Sequence, residues 1–384
     1  MSAPAIRGWC PGALRPMMSG DGLVVRIRAH GGRLTSAQLA GIAALARRFG
    51  NGQIDLSARA NLQLRGVAEA GHPALIDGLR GLGLIDDSLA AEARRNILVT
   101  PFWKAGDGTA ELAAALEEAL ADAPPLPGKF GYAIDTGPAP VLGTASADIR
   151  LERDAAGGFV LRADGAAEGT PVGAADAPAR VVALARWFVE TGGVQGGRGR
   201  MAAHLGRGAV LPDGFAPTVA PALAAPAPAP GHCPAGFLTA LAFGQTDAAT
   251  LAAIAALVPA VRLTPWRMLL LEGLGEAPAI AGLIADPADP VLRVTACTGA
   301  PGCPQARAAT RPLARALAVR VPQGAHLHVS GCAKGCAHPA PCALTLTATG
   351  AGFALVRGGT AAAGPVRTGL PAEVLLSDPT LFET

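Results

Sequence analysis

Near the start of the chain, apolar and polar positions follow a strand, helix, strand order. Apolar residues predominate through 22–28, an alanine- and leucine-rich run covers 36–47, and polar residues alternate with apolar ones through 53–67. Alternation with a period of two is typical of strands, whereas the middle run has the length of a helix. Thr35 or Ser36 provides an N-cap for that helix.

The same order of elements occurs a second time. A strand-like segment at 236–241 precedes a helical run that ends at Leu257, and an apolar strand follows at 261–274. Thr246 or Asp247 is the corresponding N-cap, and segments 72–82 and 276–285 are candidates for one further helix in each copy. A strand–helix–strand unit that occurs twice predicts an α+β protein with duplicated units and mixed sheets.

The regions around the two units divide the chain further. Residues 86–216 form a middle α+β domain with helices predicted at 109–123 and 177–191 and a β-hairpin at 148–163. The Pro/Ala segment 217–231 is predicted to be an extended, exposed linker. The copies themselves are assigned to 1–85 and 232–290, and the remainder, 291–384, forms a separate C-terminal domain.

Long polar side chains follow one face of the predicted strand at 58–67. Because alternate residues of a strand share a face, these four lie in a row: Arg59, Asn61, Gln63 and Arg65. Arg26 and Arg28 share a face on the strand of 22–28. Together they predict a concave basic surface for a large, flat ligand with several carboxylates, which arginine holds bidentately.

A solvated sheet face is the competing explanation for this polar row. The second copy argues against it, because its corresponding positions carry mostly core-type residues: Trp266, Met268, Leu270 and Glu272. A duplication that keeps one polar face and loses the other indicates a single working site.

Four cysteines near the C-terminus are spaced as metal ligands. Cys297 and Cys303 form a C-x5-C pair, and Cys332 and Cys336 form a C-x3-C pair, each within a Gly-rich turn. This spacing favours an iron–sulfur cluster, predicted as a cubane [4Fe–4S], over a zinc knuckle or two disulfides. Cys342 is a reserve ligand, whereas Cys10 and Cys233 are expected to be ordinary thiols.

Composition excludes several classes of function. Half of the 384 residues are hydrophobic, 16% are charged and the formal net charge is +3, which gives no electrostatic case for a nucleic-acid partner. There is no apolar run long enough for a membrane span and no secretory signal at the N-terminus, so neither is expected. Seven cysteines, four of them clustered as ligands, fit a reducing cytoplasm.

Two motifs resemble those of the sirohaem-dependent sulfite and nitrite reductases, whose cysteine spacing is also similar. LSARANLQLRG at 56–66 resembles the strand that faces their tetrapyrrole, and LPGKFGY at 126–132 resembles their lysine-bearing loop. The resemblance implies a haemoprotein-like fold of duplicated ferredoxin-like units with pseudo-twofold symmetry. It implies catalytic roles for Arg59 and Lys129, and it implies that Cys336 also bridges to a tetrapyrrole iron.

The chain also departs from the reductases at the position where a small anion would bind. Two residues after Lys129 they carry Lys or Asn, whereas residue 131 is glycine here. Lys334 replaces the usual Asn inside the C-x3-C loop. Both changes weaken a sulfite or nitrite site, and the glycine leaves room for a larger ligand.

Within that superfamily the chain most resembles the precorrin-3B synthase family, on residues 7–12, 17–22, RANLQLRG and SGCAKGCAHP. The resemblance implies a monooxygenase that uses O2 and NADH, through a separate electron-donor protein, to hydroxylate precorrin-3A at C20 with γ-lactone formation. Residues then expected to bind the tetrapyrrole carboxylates are Arg26, Arg28, Asn61, Gln63, Arg65 and Arg95.

The sequence alone leaves the second iron centre open. Sirohaem or a mononuclear non-haem iron would complete the cofactor set, and the candidate ligands His326, His328 and His338 are not distinguished from structural histidines. The alternative function is a sirohaem sulfite or nitrite reductase. A non-catalytic, zinc-stabilised binding module is the candidate from a different class of protein.

Overall fold

The first ferredoxin-like half-domain is built from short strands and two helices. The structure is a computed structural model that describes residues 11–137, 139–378 and 380–382, so Cys10 and the motif residues 7–10 lie outside it. The elements are β1 (Met17–Ser19), β2 (Gly22–Ile27), β3 (Arg33–Thr35), α1 (Ser36–Phe49), β4 (Gln53–Leu56), β5 (Leu62–Val67) and α2 (His72–Gly81).

The middle domain follows without a break. Its elements are α3 (Leu89–Arg94), β6 (Ile97–Val99), α4 (Thr109–Ala119), β7 (Tyr132–Asp135), β8 (Ile149–Arg153), β9 (Phe159–Ala163), β10 (Thr170–Val172), α5 (Ala177–Glu190) and α6 (Met201–Gly206). The Pro/Ala segment that comes next lies along this domain, because the Thr218 and Val219 N–H groups donate to the Gly169 carbonyl at 2.8 and 3.0 Å.

The second half-domain and the C-terminal domain complete the chain. The half-domain has β11 (Gly231–Cys233), β12 (Gly236–Leu241), β13 (Gln245–Asp247), α7 (Ala248–Leu257), β14 (Ala260–Leu263), β15 (Met268–Glu272) and β16 (Leu283–Ile284). The C-terminal domain has β17 (Val294–Ala296), α8 (Arg311–Ala318), β18 (Leu327–Ser330), β19 (Cys342–Thr349), β20 (Gly352–Gly359), β21 (Arg367–Leu370) and α9 (Ala372–Ser377).

The two half-domains exchange one strand each. One antiparallel sheet has the order β1-β2-β5-β4-β13 and the other β11-β12-β15-β14-β3, so β3 and β13 each complete the sheet of the other copy. Helices α1 and α7 pack against one another across the same junction. This arrangement confirms the predicted duplicated α+β fold with pseudo-twofold symmetry.

The duplication extends beyond the ferredoxin-like units. The middle domain has a mixed sheet in which β6, β7 and β8 are parallel and β9 and β10 antiparallel, and the C-terminal domain repeats this with β17 to β21. Helices α4 and α8 occupy the same place in the two orders, between the first and second strands. The sequence did not predict this second repeat, because the two domains share topology without an evident common sequence pattern.

Several predicted element boundaries need correction. The predicted strand 58–67 begins only at Leu62, because residues 58–61 form a turn in which Ala60 has φ +51°. The further helix predicted at 72–82 in the first copy is confirmed as α2. The further helix predicted at 276–285 in the second copy is wrong, because that segment is irregular up to the short β16. Thr35 caps α1 through a capping box with Gln38, and the Asp247 carboxylate caps α7.

Three apolar cores hold these layers together. One lies between the antiparallel sheets and α1, α2 and α7, another joins β12 and β15 to the C-terminal domain, and the third fills the middle domain. Across the described ranges of the chain, no helix has the length and apolar character needed to span a bilayer.

Candidate active site

The four cysteines lie in two loops that start from neighbouring strands. Cys297 and Cys303 follow β17, and Cys332 and Cys336 follow β18. Because β17 and β18 are parallel, their carboxyl ends lie at the same edge of the sheet and bring the loops together. The Arg307 N–H donates to the Gly331 carbonyl at 2.8 Å and joins one loop to the other.

Backbone groups and neighbouring thiols surround the cysteine sulfurs. The Gly331 N–H donates to Cys297 Sγ at 3.1 Å. A side chain at Gly331 would clash with Ala306 Cβ at 2.7 Å, so glycine is required for this approach. Burial raises the pKa of the Cys336 thiol, Lys334 opposes that rise, and the thiols of the other three cysteines, Cys332, Cys297 and Cys303, raise it further. The four sulfurs therefore share one electrostatic environment.

Four cysteines on two adjacent loops form a donor set that a multi-iron cluster can use. Among the residues that the structure describes, no three His, Cys, Asp or Glu side chains converge as ligands of one metal ion. In a cubane each thiolate binds a different iron, so its ligands stand farther apart than those of tetrahedral zinc. The two loops bring all four cysteines to one edge of the sheet, with the Gly331 N–H directed at Cys297 Sγ, and these residues could hold such a cluster.

Three histidines gather beside the second cysteine loop. The His338 ring centroid lies 5.5 Å from that of His326 and 5.7 Å from that of His328. His328 is fully buried, and burial followed by the charges of His338, His326 and Arg267 lowers its pKa to about 4. His326 hydrogen-bonds to Thr295 Oγ1 at 2.8 Å. In this part of the described chain the three rings pack together without the geometry of a metal triad.

Arg59 and Lys129 come together although they lie far apart in sequence. Arg59 is in the turn between β4 and β5, and its Nη2 donates to the Lys129 carbonyl at 2.9 Å and to Ser146 Oγ at 3.3 Å. Arg59 is half-buried, whereas the Lys129 side chain is exposed. Asn61 is buried in the same turn, where its N–H donates to Ser57 Oγ at 3.2 Å and its carbonyl accepts from the Ser57 N–H at 2.9 Å.

A polar face does run along β5, but it is shorter than predicted. Gln63 is the cross-strand neighbour of Arg26 on β2 and of Asp55 on β4, so these side chains share one face. Gln63 and Arg26 are half-buried. Arg65 ends the row at the cysteine loops, where its Nη2 donates to the Gly302 carbonyl at 2.7 Å.

Two of the predicted carboxylate ligands are instead paired inside the protein. Arg95 is buried and makes a two-pronged ion pair with Asp86, with distances of 2.7 and 2.9 Å. Arg28 is buried as well and donates to the Glu92 carbonyl at 2.8 Å. Their contacts favour a role in joining α3 to the first half-domain over a role in binding a ligand.

The second copy has lost the corresponding polar face, as the sequence predicted. Met268 and Leu270 lie in the apolar core shared with the C-terminal domain, and Trp266 stacks on Phe102. Glu272 is bound by Arg33 and Arg262 through ion pairs of 2.8 and 2.7 Å.

The carboxylates that organise the polar face were not among the predicted site residues. Asp21 binds Arg65, and Asp55 binds Arg311 at the start of α8. A signal was present at Asp55, because a carboxylate between Ile54 and Leu56 in a short buried strand needs a partner. Its partner, 256 residues later, could not be identified from the strand.

Asp135, at the end of β7, gives a testable pH dependence. Its Oδ2 accepts from the Val141 and Leu142 N–H groups at 2.8 and 2.6 Å, yet burial dominates and raises its pKa to about 6. The folded protein therefore binds a proton here that the unfolded chain releases near pH 4, so stability falls as pH rises from about 4 to about 6.

We expect Asp135→Asn to remove this fall. The difference in unfolding free energy between variant and wild type should rise by on the order of 3 kcal/mol between pH 4 and pH 7. Urea unfolding across that range measures it, with Asp77→Asn on the exposed face of α2 as the control. Parallel curves for variant and wild type would contradict the predicted pKa.

The fold and the site together define a class of protein. Residues 15–82 match the family profile described as the nitrite/sulfite reductase ferredoxin-like half domain. The chain is also similar to the structure of the Mycobacterium tuberculosis NirA protein, with a TM-score of 0.60 and 19% identity over 92% of this chain and 79% of that one. It has the fold of the sulfite and nitrite reductase superfamily.

Similarity to a curated relative identifies the family within this class. The chain is 33% identical to a protein of Sinorhizobium sp. named precorrin-3B synthase, over 92% of this chain and 83% of the relative. The chain belongs to the precorrin-3B synthase family, and it is an oxidoreductase of tetrapyrrole metabolism.

Proposed function

We propose that the protein hydroxylates precorrin-3A at C20, with formation of a γ-lactone from the neighbouring acetate, to give precorrin-3B. One atom of O2 enters the product and the other leaves as water, reduced by two electrons that originate in NADH and arrive through a separate electron-donor protein. The kinship with a named precorrin-3B synthase supports this assignment. Because thiolate ligands need a reducing compartment, we place the reaction in the cytoplasm.

One structural observation carries the proposal: β5 connects the two regions that the chemistry needs. The turn before it holds Arg59 against the middle domain, and its other end holds Arg65 against the first cysteine loop. The six residue steps from Arg59 to Arg65 span at most roughly 20 Å at about 3.3 Å per residue. A flat tetrapyrrole laid along this face would contact the arginine end while its ring lies near the cysteines.

The cysteines would hold the reducing cofactor. We assign Cys297, Cys303, Cys332 and Cys336 to a [4Fe–4S] cluster, which when bound supplies electrons one at a time, as O2 requires. Among the four, Cys336 has the largest exposed fraction, so it is the cysteine that a bound tetrapyrrole could approach. For a mononuclear iron the described residues favour no ligand set, because the rings of His326, His328 and His338 pack on one another without converging on a metal position.

We assign the binding of substrate carboxylates to fewer residues than the sequence predicted. Lys129 is exposed and Arg26, Arg59 and Gln63 are half-buried, so we assign carboxylate binding to these four. Arginine suits this task because its planar fork matches a carboxylate. The Arg28 and Arg95 contacts inside the protein leave them the role of holding this surface in place.

The packing at Gly131 opposes the alternative function, reduction of sulfite or nitrite. A Cβ at residue 131 would lie 2.6 Å from Asn96 Nδ2 and 3.0 Å from the Asn96 carbonyl oxygen. Asn96 is buried and its Nδ2 donates to the Phe130 carbonyl at 2.7 Å, so it cannot move aside cheaply. Asn96 therefore opposes the second anion-binding side chain that the reductases carry. The expectation that this glycine leaves room for a larger ligand is wrong, because Asn96 fills the space beside it.

Isotope incorporation tests the proposed reaction. Anaerobically purified protein, given precorrin-3A, a reductant and 18O2, should form a product that carries one 18O atom. No product should form without oxygen, and sulfite and nitrite should not be reduced above background with reduced methyl viologen. Turnover without oxygen, or a product with no label from 18O2, would reject the monooxygenase assignment.

A further inference from the structure

The first cysteine loop is tied to the first half-domain at its centre. The Gly302 carbonyl, next to Cys303, accepts hydrogen bonds from Ser19 Oγ at 2.5 Å, from the Gly20 N–H at 3.2 Å and from Arg65 Nη2 at 2.7 Å. Three donors on one carbonyl that lies 283 residues from Ser19 fix the loop against the β1–β2 turn.

Arg65 is the residue that organises this contact. Its exposed fraction is only 6%, and its guanidinium binds the Asp21 carboxylate with two hydrogen bonds, 3.1 Å from Nε and 2.7 Å from Nη2. The Arg65 fork therefore holds the β1–β2 turn and the cysteine loop at the same time. A substrate carboxylate would have to displace Asp21 to reach it.

A second ion pair ties the end of the same loop to the same face. Arg311, the first residue of α8, binds Asp55 at 3.0 Å, and Asp55 lies 3.8 Å from Arg65 Nε. Thr310 Oγ1 donates to the Cys297 carbonyl at 2.7 Å and so closes the loop on itself. The chain Asp21–Arg65–Asp55–Arg311 thus spans the loop from its middle to its end.

From these contacts we infer that Arg65 is a positioning residue for the cluster, held by Asp21 and supported by the Asp55–Arg311 pair, rather than a substrate ligand. The inference rests on the proposed function, in which Cys297 and Cys303 bind iron. Buried ion pairs add little net stability but fix register, and metal ligands must be held to within about 0.5 Å of their productive geometry. Loosening the loop should therefore speed the loss of iron.

The test compares release of iron from intact, anaerobically purified protein. Wild type, Arg65→Met and Arg65→Lys are mixed with a ferrous chelator, and iron release is followed optically, with the EPR spectrum of the reduced cluster recorded for each. Arg65→Met should release iron at least tenfold faster than wild type and change the EPR line shape, while Arg65→Lys should restore part of the loss. Arg80→Met, in an exposed ion pair on α2, is the control and should behave as wild type.

Two further variants keep the test decisive if Arg65→Met does not fold. Ser19→Ala removes one donor to the Gly302 carbonyl and should speed release a few-fold. Asp21→Asn weakens the ion pair that holds the Arg65 guanidinium and should speed release too.

The outcomes separate this inference from the proposed function. Wild-type protein that holds no iron and sulfide after anaerobic purification overturns the cluster assignment itself. If wild type holds the cluster and all variants release iron at the same rate with the same EPR spectrum, the positioning role is wrong. If Arg65→Met keeps its iron but binds precorrin-3A more weakly, Arg65 is a substrate ligand as first predicted.

Discussion

Replacing Cys332 by serine should remove the iron–sulfur cluster and all activity that depends on electron delivery. Serine is a poor ligand for iron, and the remaining three thiols lie in two loops that the hydrogen bond from the Arg307 N–H to the Gly331 carbonyl joins. Because cluster binding is coupled to folding, the C-terminal domain should also unfold at lower denaturant concentration. Iron and acid-labile sulfide content, visible absorbance and urea unfolding measure these effects.

Two cysteines outside the quartet provide matched controls. Cys233→Ser, on β11, should leave iron content, absorbance and stability near the wild-type values. Cys342→Ser tests the reserve ligand: its thiol is buried and donates to the His326 carbonyl at 3.1 Å, so we expect a loss of stability with the cluster retained. A Cys332→Ser protein with full iron content, beside a Cys342→Ser protein without it, would show that the ligand set is misassigned.

Replacing Arg59 by alanine should weaken substrate binding by about ten- to a hundredfold, which corresponds to the roughly 1.5–3 kcal/mol of a hydrogen bond to a charged group. The cluster should be unaffected, because Arg59 contacts the middle domain at Lys129 and Ser146 and the cysteines lie at the far end of β5. Binding of precorrin-3A, followed by the change in its absorbance under anaerobic conditions, measures the effect.

The control for Arg59→Ala is the same substitution at an arginine that lies away from the site. Arg80→Ala removes an exposed guanidinium from α2 in the same half-domain and should bind substrate as wild type does. Arg59→Lys keeps the charge without the fork, so an intermediate affinity would identify bidentate recognition. Equal affinities for Arg59→Ala and wild type would contradict carboxylate binding at this position.

The duplication explains why only one of two similar sheets offers a binding face. The first sheet keeps Arg26, Gln63 and Arg59 at its polar side, whereas the second buries Met268 and Leu270 against the C-terminal domain. The topological repeat of the middle and C-terminal domains places cysteine loops in only one of the two corresponding positions. In the proposed assignment, the C-terminal domain carries the cofactor ligands and the first half-domain contacts the substrate.

Features of this protein that depend on local pattern could be predicted from the chain. The alternation along 62–67 is a property of neighbouring residues, and so are the two N-caps, which the sequence narrowed to Thr35 or Ser36 and to Thr246 or Asp247. The loss of the polar face in the second copy could also be predicted, because the repeat aligns Gln63 with Leu270. The turn at 58–61 was missed because Ala60 gives no sign of its positive φ.

The division of the arginines between ligand binding and internal ion pairs became visible only in three dimensions. In the sequence, Arg65 and Arg95 look the same as Arg26 and Arg59. In the structure, Arg65 forms an ion pair with Asp21, and Arg95 forms one with Asp86. The exchange of β3 and β13 between sheets was equally invisible, since hydrogen-bonding partners 200 or so residues apart leave no local periodicity. Ion pairing and strand exchange depend on where distant segments meet, and that is set by packing of the whole chain.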